Sequence, residues 1–318
     1  MAKNSVTLIV PILNEEKSLP LFFERLDPAL AEIKKSHKSV RFTLLFVDDG
    51  STDASALIVQ KAKLKQAKIQ MINLTRNFGK ENALFAGLNH CTTDAAIPMD
   101  VDLQDPPEVI DQMITEWRAG TDIVDAKRAS RSEDSFFQRF TAAGFYRVFN
   151  IFSERPMPEN VGDFRLFDRE VVTALQQIGD KKRFNKEIFS WIGFKTTQIE
   201  FARPARAAGA SRHSFWRLWN MALDGIFSAS TIPLRFWSYI GFLIALFTFL
   251  YLIFVILYTL AFGRLVPGYS STIVAVLFFG GLNLLSVGIM GEYIGRIYAE
   301  VRNRPNYLIK STYGMGED

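Results

Sequence analysis

Near its N-terminus the chain reads VTLIVPI over residues 6–12, a nearly continuous run of β-branched and aliphatic residues. A strand with one solvated face alternates apolar and polar residues. A strand of a parallel sheet is covered by helices on both faces and stays apolar throughout. The run therefore predicts a central strand of a parallel sheet, and with it an α/β fold.

Strand-like and helix-like segments alternate over the first two hundred residues. Further strands are predicted at 42–47, 69–74, 95–99 and 123–126, and helices at 17–34, 53–65, 80–90 and 107–119. Alternation of this kind builds βαβ units and a doubly wound sheet. Ligands of such sheets bind at the carboxyl ends of the strands, so the residues that follow each strand are candidates for a site.

Composition excludes several classes of protein. The 318-residue chain has a net charge of +4 and shows neither a basic arm nor zinc-ligand spacing, so nucleic acid is not an expected partner. Its single cysteine, Cys91, rules out an intrachain disulfide and fits a reducing compartment. The first strand is too short, and too quickly followed by acidic residues, for a secretory signal, which predicts a cytoplasmic N-terminal domain.

Charge almost vanishes towards the C-terminus. No charged residue lies between 236 and 262 or between 265 and 291, and roughly 20 apolar residues suffice to cross a membrane. These stretches predict two transmembrane helices, at about 236–262 and 266–291. Arginines flank the outer ends of the pair, so the positive-inside rule predicts that both termini lie in the cytoplasm and the turn outside.

Four segments follow from these patterns. We expect a cytoplasmic α/β domain over residues 1–212 and an aromatic-rich interfacial amphipathic helix over 213–234. The membrane hairpin is expected over 235–298 and a cytoplasmic tail over 299–318. The predicted architecture is a mostly parallel, Rossmann-like sheet domain with a C-terminal two-helix transmembrane hairpin.

An acidic motif follows the fourth predicted strand. The sequence DVDLQDPPE (residues 100–108) places three aspartates within six residues, and their mutual repulsion is costly unless a cation lies nearby. Oxygen ligands of this kind suit Mg²⁺ or Mn²⁺, which also bridge the oxygens of a diphosphate. The motif therefore predicts a metal site that serves a nucleotide leaving group; the alternative is a solvated acidic loop.

Three further segments are candidates for the same edge. VPILNEE (10–16) and DDGSTD (48–53) end the first two strands, although each alone also fits a helix N-terminus or a turn. VGDFRL (161–166) places Asp163 in an apolar run, either as a general base or as the ion-pair partner of Arg165. A phosphate acceptor is already largely ionised, since its second pKa is about 6. We therefore expect Asp163 to orient the acceptor or the metal shell more than to abstract a proton.

Taken in order, these motifs resemble those of a known family. VPILNEE, DDGS, NFGK (77–80), DVDLQDPPE, GDFR and the basic segment RPARAAGASR (203–212) are similar to motifs of the family 2 glycosyltransferases with a GT-A fold. Within them the chain resembles the polyprenyl-phosphate glycosyltransferases. The paired spans and GEYIGRIY (291–298) are most similar to the bactoprenol glucosyltransferase type, and the resemblance covers essentially the whole chain.

The resemblance implies roles for particular residues. The nucleotide-sugar donor would be held by Pro11, Leu13, Glu15, Val47, Asp49, Asp100 and Val101. The metal, Mg²⁺ or Mn²⁺, would be held by Asp100, Asp102 and Gln104. The catalytic residues would be Asp102, Asp163 and Arg128. The acceptor phosphate would contact Arg128, Arg131, Arg206 and Arg212, whose guanidinium groups match phosphate oxygens.

The implied reaction is inverting transfer of a hexose, most simply glucose from UDP-glucose, to undecaprenyl phosphate. It is expected at the cytoplasmic face of a bacterial inner membrane, in a homo-oligomer of which a tetramer is one candidate. The alternatives are another donor (GDP-mannose, UDP-N-acetylglucosamine or an aminoarabinose nucleotide), a lipid-sugar flippase or channel subunit, and a processive polysaccharide synthase. Two spans without internal ionisable residues make a poor permeation path. The synthase's Gln-x-x-Arg-Trp motif does not occur in the sequence.

Overall fold

The computed structural model describes residues 3–128, 161–180, 185–201, 232–262 and 268–316. The chain divides into two compact units. The first comprises Met1–Trp219 together with Pro305–Asp318, and the second comprises Asn220–Arg304.

The first unit alternates strands and helices along the chain, which confirms the predicted α/β class. Its strands are β1 (Ser5–Ile12), β2 (Arg41–Asp48), β3 (Ala67–Leu74), β4 (Ala95–Pro98), β5 (Ile123–Arg128), β6 (Val161–Asp168), β7 (Thr196–Phe201) and β8 (Ile309–Tyr313). Its helices are α1 (Ser18–Ser36), α2 (Ser55–Lys61), α3 (Lys80–Asn89), α4 (Val109–Arg118), α5 (Arg169–Gln177) and α6 (Asn185–Trp191).

The strands described form one sheet in the order β7-β5-β6-β4-β1-β2-β3-β8. Strand β1 pairs in parallel with β2 on one side and with β4 on the other, and β2 pairs in parallel with β3. Strand β6 is antiparallel to both β4 and β5, and β5 is parallel to β7. The carboxyl ends of β1 to β5 therefore share one edge of the sheet, and the first residues of β6 lie at the same edge.

The packing of β1 on both of its faces explains why its sequence is apolar throughout. Val6, Leu8 and Val10 belong to one hydrophobic cluster, and Ile9 belongs to a second cluster on the opposite face. Helices α1 and α4 contribute to the first cluster, while α3 and α5 contribute to the second. With helices on both faces, the sheet has no solvated side along its centre, as expected for parallel strands.

Strand β8 is an element that the sequence patterns did not anticipate. Within the segment expected as a tail, residues 309–313 pair antiparallel with β3 and become an edge strand of the sheet. Asn73 Nδ2 donates to Ser311 Oγ at 2.9 Å, and Tyr313 Oη donates to the carbonyl of Gln60 at 3.1 Å. A five-residue strand is too short to show a clear alternation of apolar and polar residues, so the sequence gives little sign of it. Its pairing with β3 identifies it as a strand.

The second unit contains two long helices, α7 (Ile232–Phe262) and α8 (Tyr269–Val301). The first covers the uncharged stretch 236–262, and the second covers residues 269–291 of the stretch 265–291. Among the residues that the structure describes, no helix is long and apolar enough to cross a membrane.

The pairing of β8 yields a test at Gly314. Its φ of +68° is strained for any residue with a side chain, and an added Cβ would lie 2.5 Å from the carbonyl oxygen of Ile69. We expect Gly314→Ala to destabilise the first unit by about 1–3 kcal/mol, the usual cost of such strain. Thermal unfolding of the purified protein measures the effect as a lower Tm.

Gly316→Ala is the matched control, because an added Cβ there meets nothing within 4 Å. Equal Tm values for the two variants would contradict the close packing of β8 on β3.

Candidate active site

A cavity of about 320 Å³ opens at the shared carboxyl edge of the sheet. The lining residues come from the end of β1, from the segments that follow β1, β2 and β4, from the loop between β3 and α3, and from the first turn of α3. They are Pro11, Ile12, Leu13, Glu15, Asp49, Asn77, Gly79, Lys80, Ala83, Asp100, Val101 and Asp102. Parallel pairing thus gathers three acidic segments, far apart in sequence, around one space.

Asp49 organises the loop between β3 and α3. Its two carboxylate oxygens accept hydrogen bonds from the backbone N–H groups of Phe78 at 2.7 Å and Gly79 at 2.9 Å. Burial raises the pKa of Asp49, and these two hydrogen bonds only partly offset that shift. Gly79, with a φ of +94°, provides the turn that a residue with a side chain disfavours, and α3 begins at the next residue.

Lys80, the first residue of α3, bridges two carboxylates. Its ammonium lies 2.7 Å from Asp100 Oδ1, 2.8 Å from Asp100 Oδ2 and 3.2 Å from Asp163 Oδ2. Partial burial acts to lower the pKa of Lys80, but the two adjacent carboxylates and their hydrogen bonds outweigh it and raise the pKa above its ordinary value. Lys80 is therefore a cation under all ordinary conditions, and it joins the end of β4 to the start of β6.

Arg165 pairs with a different carboxylate from the one that the sequence suggested. Its Nη1 lies 3.2 Å from Asp125 Oδ1, and both side chains are only 2% exposed. Its Nε donates to the carbonyl of Gly162 at 3.0 Å, next to Asp163. The predicted alternative of an Asp163–Arg165 ion pair is therefore wrong. Asp163 pairs with Lys80, while Asp125 and Arg165 are cross-strand neighbours in β5 and β6.

The acidic loop after β4 is folded on itself. Asp102 Oδ1 accepts from the backbone N–H of Gln104 at 3.1 Å, and Leu103 between them has a φ of +59°. This turn leaves Asp100, Val101 and Asp102 on the cavity, whereas Gln104 and Asp105 are each only 8% exposed.

The donor set suits a divalent cation that is completed by substrate. Within the described residues, no group of three or more His, Cys, Asp or Glu side chains is arranged to hold a metal ion. Magnesium sites of nucleotide-using enzymes commonly take one or two carboxylates and obtain further oxygens from phosphates and water. Asp100 and Asp102, both lining the cavity, fit that pattern, with Lys80 as a cation already in contact with Asp100.

Most of the residues expected to hold the donor line the cavity: Pro11, Leu13, Glu15, Asp49, Asp100 and Val101. Asp102, expected as a metal ligand and catalytic residue, lines it as well. Val47 does not, because its side chain is fully buried in the hydrophobic core. Gln104 and Asp163 are not among the lining residues, although Asp163 reaches the site through Lys80. Arg128 is the last residue of β5, so its backbone lies at the same edge of the sheet. The structure does not describe its side chain. Arg131, Arg206, Arg212 and most of the expected interfacial helix also lie outside the described residues.

Lys80 and Asn77 are the polar cavity residues that the sequence reasoning did not assign. A signal for Lys80 was present: a cation in the first turn of a helix opposes the helix dipole, so it needs a nearby carboxylate. The sequence alone could not say which carboxylate, since Asp100 and Asp163 are 20 and 83 residues away.

Comparison with known proteins places these features in a family. The family model described as glycosyl transferase family 2 matches residues 7–175. A prophage-derived bactoprenol glucosyl transferase of Shigella flexneri is 46% identical over 308 residues, covering 97% of this chain and 98% of that protein. A prophage bactoprenol glucosyl transferase homolog of Escherichia coli K12 is also 46% identical, over 96% of this chain and 98% of that protein.

Among solved structures, this chain is similar to a mannosyltransferase from Pyrobaculum calidifontis in complex with GDP-mannose and Mn²⁺. The matched region covers 94% of this chain and 86% of the mannosyltransferase chain. Its sequence identity is 18% and its TM-score is 0.41, values too low to carry an argument about this site.

The contribution of the buried Asp125–Arg165 ion pair to the stability of β6 can be tested by substitution. Arg165→Met leaves Asp125 as an unpaired carboxylate in the core, which is expected to cost about 3–5 kcal/mol in the free energy of unfolding. The double variant Asp125→Leu with Arg165→Met removes both charges and should recover most of that loss. Chemical denaturation of the purified protein measures both losses of stability.

The matched control is Arg25→Met, which removes an ion pair with Glu108 whose side chains are 46% and 58% exposed. Such surface pairs contribute about 0–1 kcal/mol. An Arg165→Met protein as stable as this control would show that the buried pair does not stabilise the strand.

Proposed function

The chain belongs to glycosyl transferase family 2, and from that premise we propose that it transfers glucose from UDP-glucose to undecaprenyl phosphate, inverting the anomeric centre. The observation that carries the proposal is the extent of the likeness to relatives named bactoprenol glucosyl transferase. At 46% identity it runs over 97% of the chain and so includes the C-terminal helices as well as the α/β domain.

On the donor side, the cavity provides groups of the required kinds. Pro11 and Leu13 offer apolar contact to a flat base, while Glu15 and Asp49 offer carboxylates for hydroxyl and N–H donors. Both oxygens of Asp49 already accept backbone N–H groups, but a carboxylate has about four lone-pair sites. Asp49 can therefore shape the loop and accept a further hydrogen bond from the donor.

The diphosphate is proposed to lie by Asp100 and Asp102. A divalent cation held by these residues, with Gln104 as the third expected ligand, would neutralise charge on the departing nucleotide. Lys80 adds a permanent positive charge at the same place. Mg²⁺ and Mn²⁺ both suit carboxylate and phosphate oxygens.

On the acceptor side, Asp163 is proposed as an orienting residue. The acceptor phosphate needs little deprotonation, because its second pKa is about 6. Asp163 is held 3.2 Å from the Lys80 ammonium, a contact that fixes the position of its carboxylate beside the cavity. The proposed phosphate-binding residues are Arg128, Arg131, Arg206 and Arg212.

Membrane attachment through α7 and α8 is also our proposal. Its support is the complete sequence of the two helices, which carries no charge over residues 236–262 and 265–291. The side chains described on α7 expose apolar groups widely, for example Phe247 at 78% and Leu260 at 79%. Such surfaces are costly in water and call for an apolar cover.

We further propose that the protein resides in a bacterial inner membrane, with the catalytic domain and both termini in the cytoplasm, and that it assembles as a homo-oligomer. This topology would place a water-soluble donor and a lipid-borne phosphate within reach of one site. A mass measurement in detergent tests the assembly, including the tetramer.

The reaction is tested with purified full-length protein, undecaprenyl phosphate and separately labelled UDP-glucose, UDP-N-acetylglucosamine, GDP-mannose and an aminoarabinose nucleotide, with and without EDTA. We expect lipid-linked product from UDP-glucose and loss of that product in EDTA. A different preferred donor would overturn the glucose assignment, and full activity in excess chelator would overturn the metal.

Asp102→Asn tests the acidic loop. It removes one negative charge from the proposed diphosphate site, so we expect kcat to fall at least about 100-fold, the order seen when a key electrostatic group is lost. Membrane insertion should be unchanged. Glu108→Gln is the control from the same motif, because Glu108 is exposed and pairs with Arg25 outside the cavity lining. Near-normal turnover of Asp102→Asn would refute the assignment.

Topology is tested by labelling introduced cysteines with a membrane-impermeant maleimide. Cys91 is buried and should react little in the folded protein. Arg264→Cys, in the turn predicted from the sequence, is expected to react in intact cells with a permeable outer envelope. Gly316→Cys should react only after the inner membrane is opened. The reverse pattern would refute the proposed orientation.

A further inference from the structure

Lys80 contacts both carboxylates on which the proposed chemistry depends. Its ammonium lies 2.7 Å from Asp100, a proposed metal ligand, and 3.2 Å from Asp163, the proposed orienting residue. Asp100 lies in the loop after β4 and Asp163 lies in β6, and the two carboxylates would repel each other at this range without a cation between them.

The backbone on either side of this contact is constrained. Asp49 holds the N–H groups of Phe78 and Gly79, and α3 starts immediately afterwards at Lys80. A lysine at a helix N-terminus is electrostatically disfavoured. Its position is therefore maintained by the carboxylates of Asp100 and Asp163, to which it supplies the compensating charge.

The Lys80 side chain can also leave this position. It is 47% exposed, it lines the cavity, and its four-carbon stem ends in a compact charge with freely rotating donors. A diphosphate in the cavity would offer the ammonium a new set of anionic oxygens within reach of its own stem.

We propose that Lys80 is the resident cation of the substrate-free site and makes metal binding depend on the nucleotide diphosphate. The proposal deepens the proposed function and rests on its metal and donor. A divalent ion that approaches Asp100 alone must displace, or lie beside, an ammonium already paired with that carboxylate. A diphosphate relieves this conflict, since its charges can pair with the ammonium and the metal together.

The carboxylates that line the cavity support the same order of binding. Within the described residues no trio of acidic, His or Cys side chains could hold the metal without further oxygens. Asp100 and Asp102, the proposed ligands that line the cavity, would take further oxygens from phosphate and water, and Lys80 weakens their binding of the metal until phosphate is present. Lys80 acts here as a positioning residue, through Asp100 and Asp163.

The experiment measures Mn²⁺ binding to the purified full-length protein by electron paramagnetic resonance, which separates free from bound ion and needs no turnover. In the natural protein we expect weak binding that UDP or GDP tightens by about 5- to 150-fold, the usual range of coupling between two ligands. UMP, which lacks the second phosphate, should tighten it less. Equal Mn²⁺ affinity with and without either diphosphate would overturn the proposal, and this arm requires no variant.

Lys80→Met is the decisive variant. Without a nucleotide it should bind Mn²⁺ about tenfold more tightly than the natural protein, the order by which one adjacent charge shifts an ionic equilibrium. Its enhancement by UDP should shrink accordingly. Lys80→Gln serves as a second neutral replacement should the methionine variant not fold, and Lys80→Arg, which keeps the charge, should retain weak nucleotide-free binding.

Lys3→Met is the matched control, because Lys3 forms an ion pair with Asp168 at 3.3 Å and is not among the residues that line the cavity. Its Mn²⁺ affinity should equal that of the natural protein. A folded Lys80→Met or Lys80→Gln protein that binds Mn²⁺ no more tightly than this control would overturn the role of Lys80.

The outcome is separable from that of the proposed function. Coupled Mn²⁺ and UDP binding without any lipid-linked product would refute the proposed acceptor and leave Lys80 in its role. Lipid-linked product with uncoupled Mn²⁺ binding would refute the role of Lys80 and leave the reaction.

Discussion

Parallel pairing of β1 with β2 on one side and β4 on the other is the constraint from which the rest of the first unit follows. Because all three strands run the same way, each connection must cross a face of the sheet, and the helices that make these crossings bury both faces. The same direction brings the polar ends of the strands to one edge. The cavity, with Asp49, Asp100 and Asp102 around it, is a consequence of strand direction.

An edge that collects carboxylates must also manage their repulsion. Asp49 is stabilised by two backbone N–H groups, whereas Asp100 and Asp163 share the ammonium of Lys80. These two solutions differ in an instructive way. Backbone hydrogen bonds are permanent parts of the loop, but a lysine on a flexible stem can exchange one anionic partner for another. The first arrangement suits a shaping residue and the second suits a site that must receive phosphate.

Antiparallel strands modify this plan at two places. Strand β6 lies between β4 and β5 and runs against both, which brings its first residues, and hence Asp163, to the edge where β4 ends. The Asp125–Arg165 pair ties β6 to β5 just behind that point. Strand β8 adds an edge next to β3 after the chain has passed through α7 and α8, so both ends of the helical unit are covalently joined to the sheet domain.

The local sequence was sufficient to predict the elements whose pattern is contained within a few neighbouring residues. The apolar run of β1, the alternation up to β5, the acidic segments that follow β1, β2 and β4, and the two uncharged stretches could all be read from period and composition. Three features required the tertiary structure: Lys80 bridging Asp100 and Asp163, Arg165 pairing with Asp125 rather than Asp163, and β8 joining β3. Each joins residues between 20 and about 240 positions apart, and the partner in such a contact is chosen by strand order and register, about which neighbouring residues carry no information.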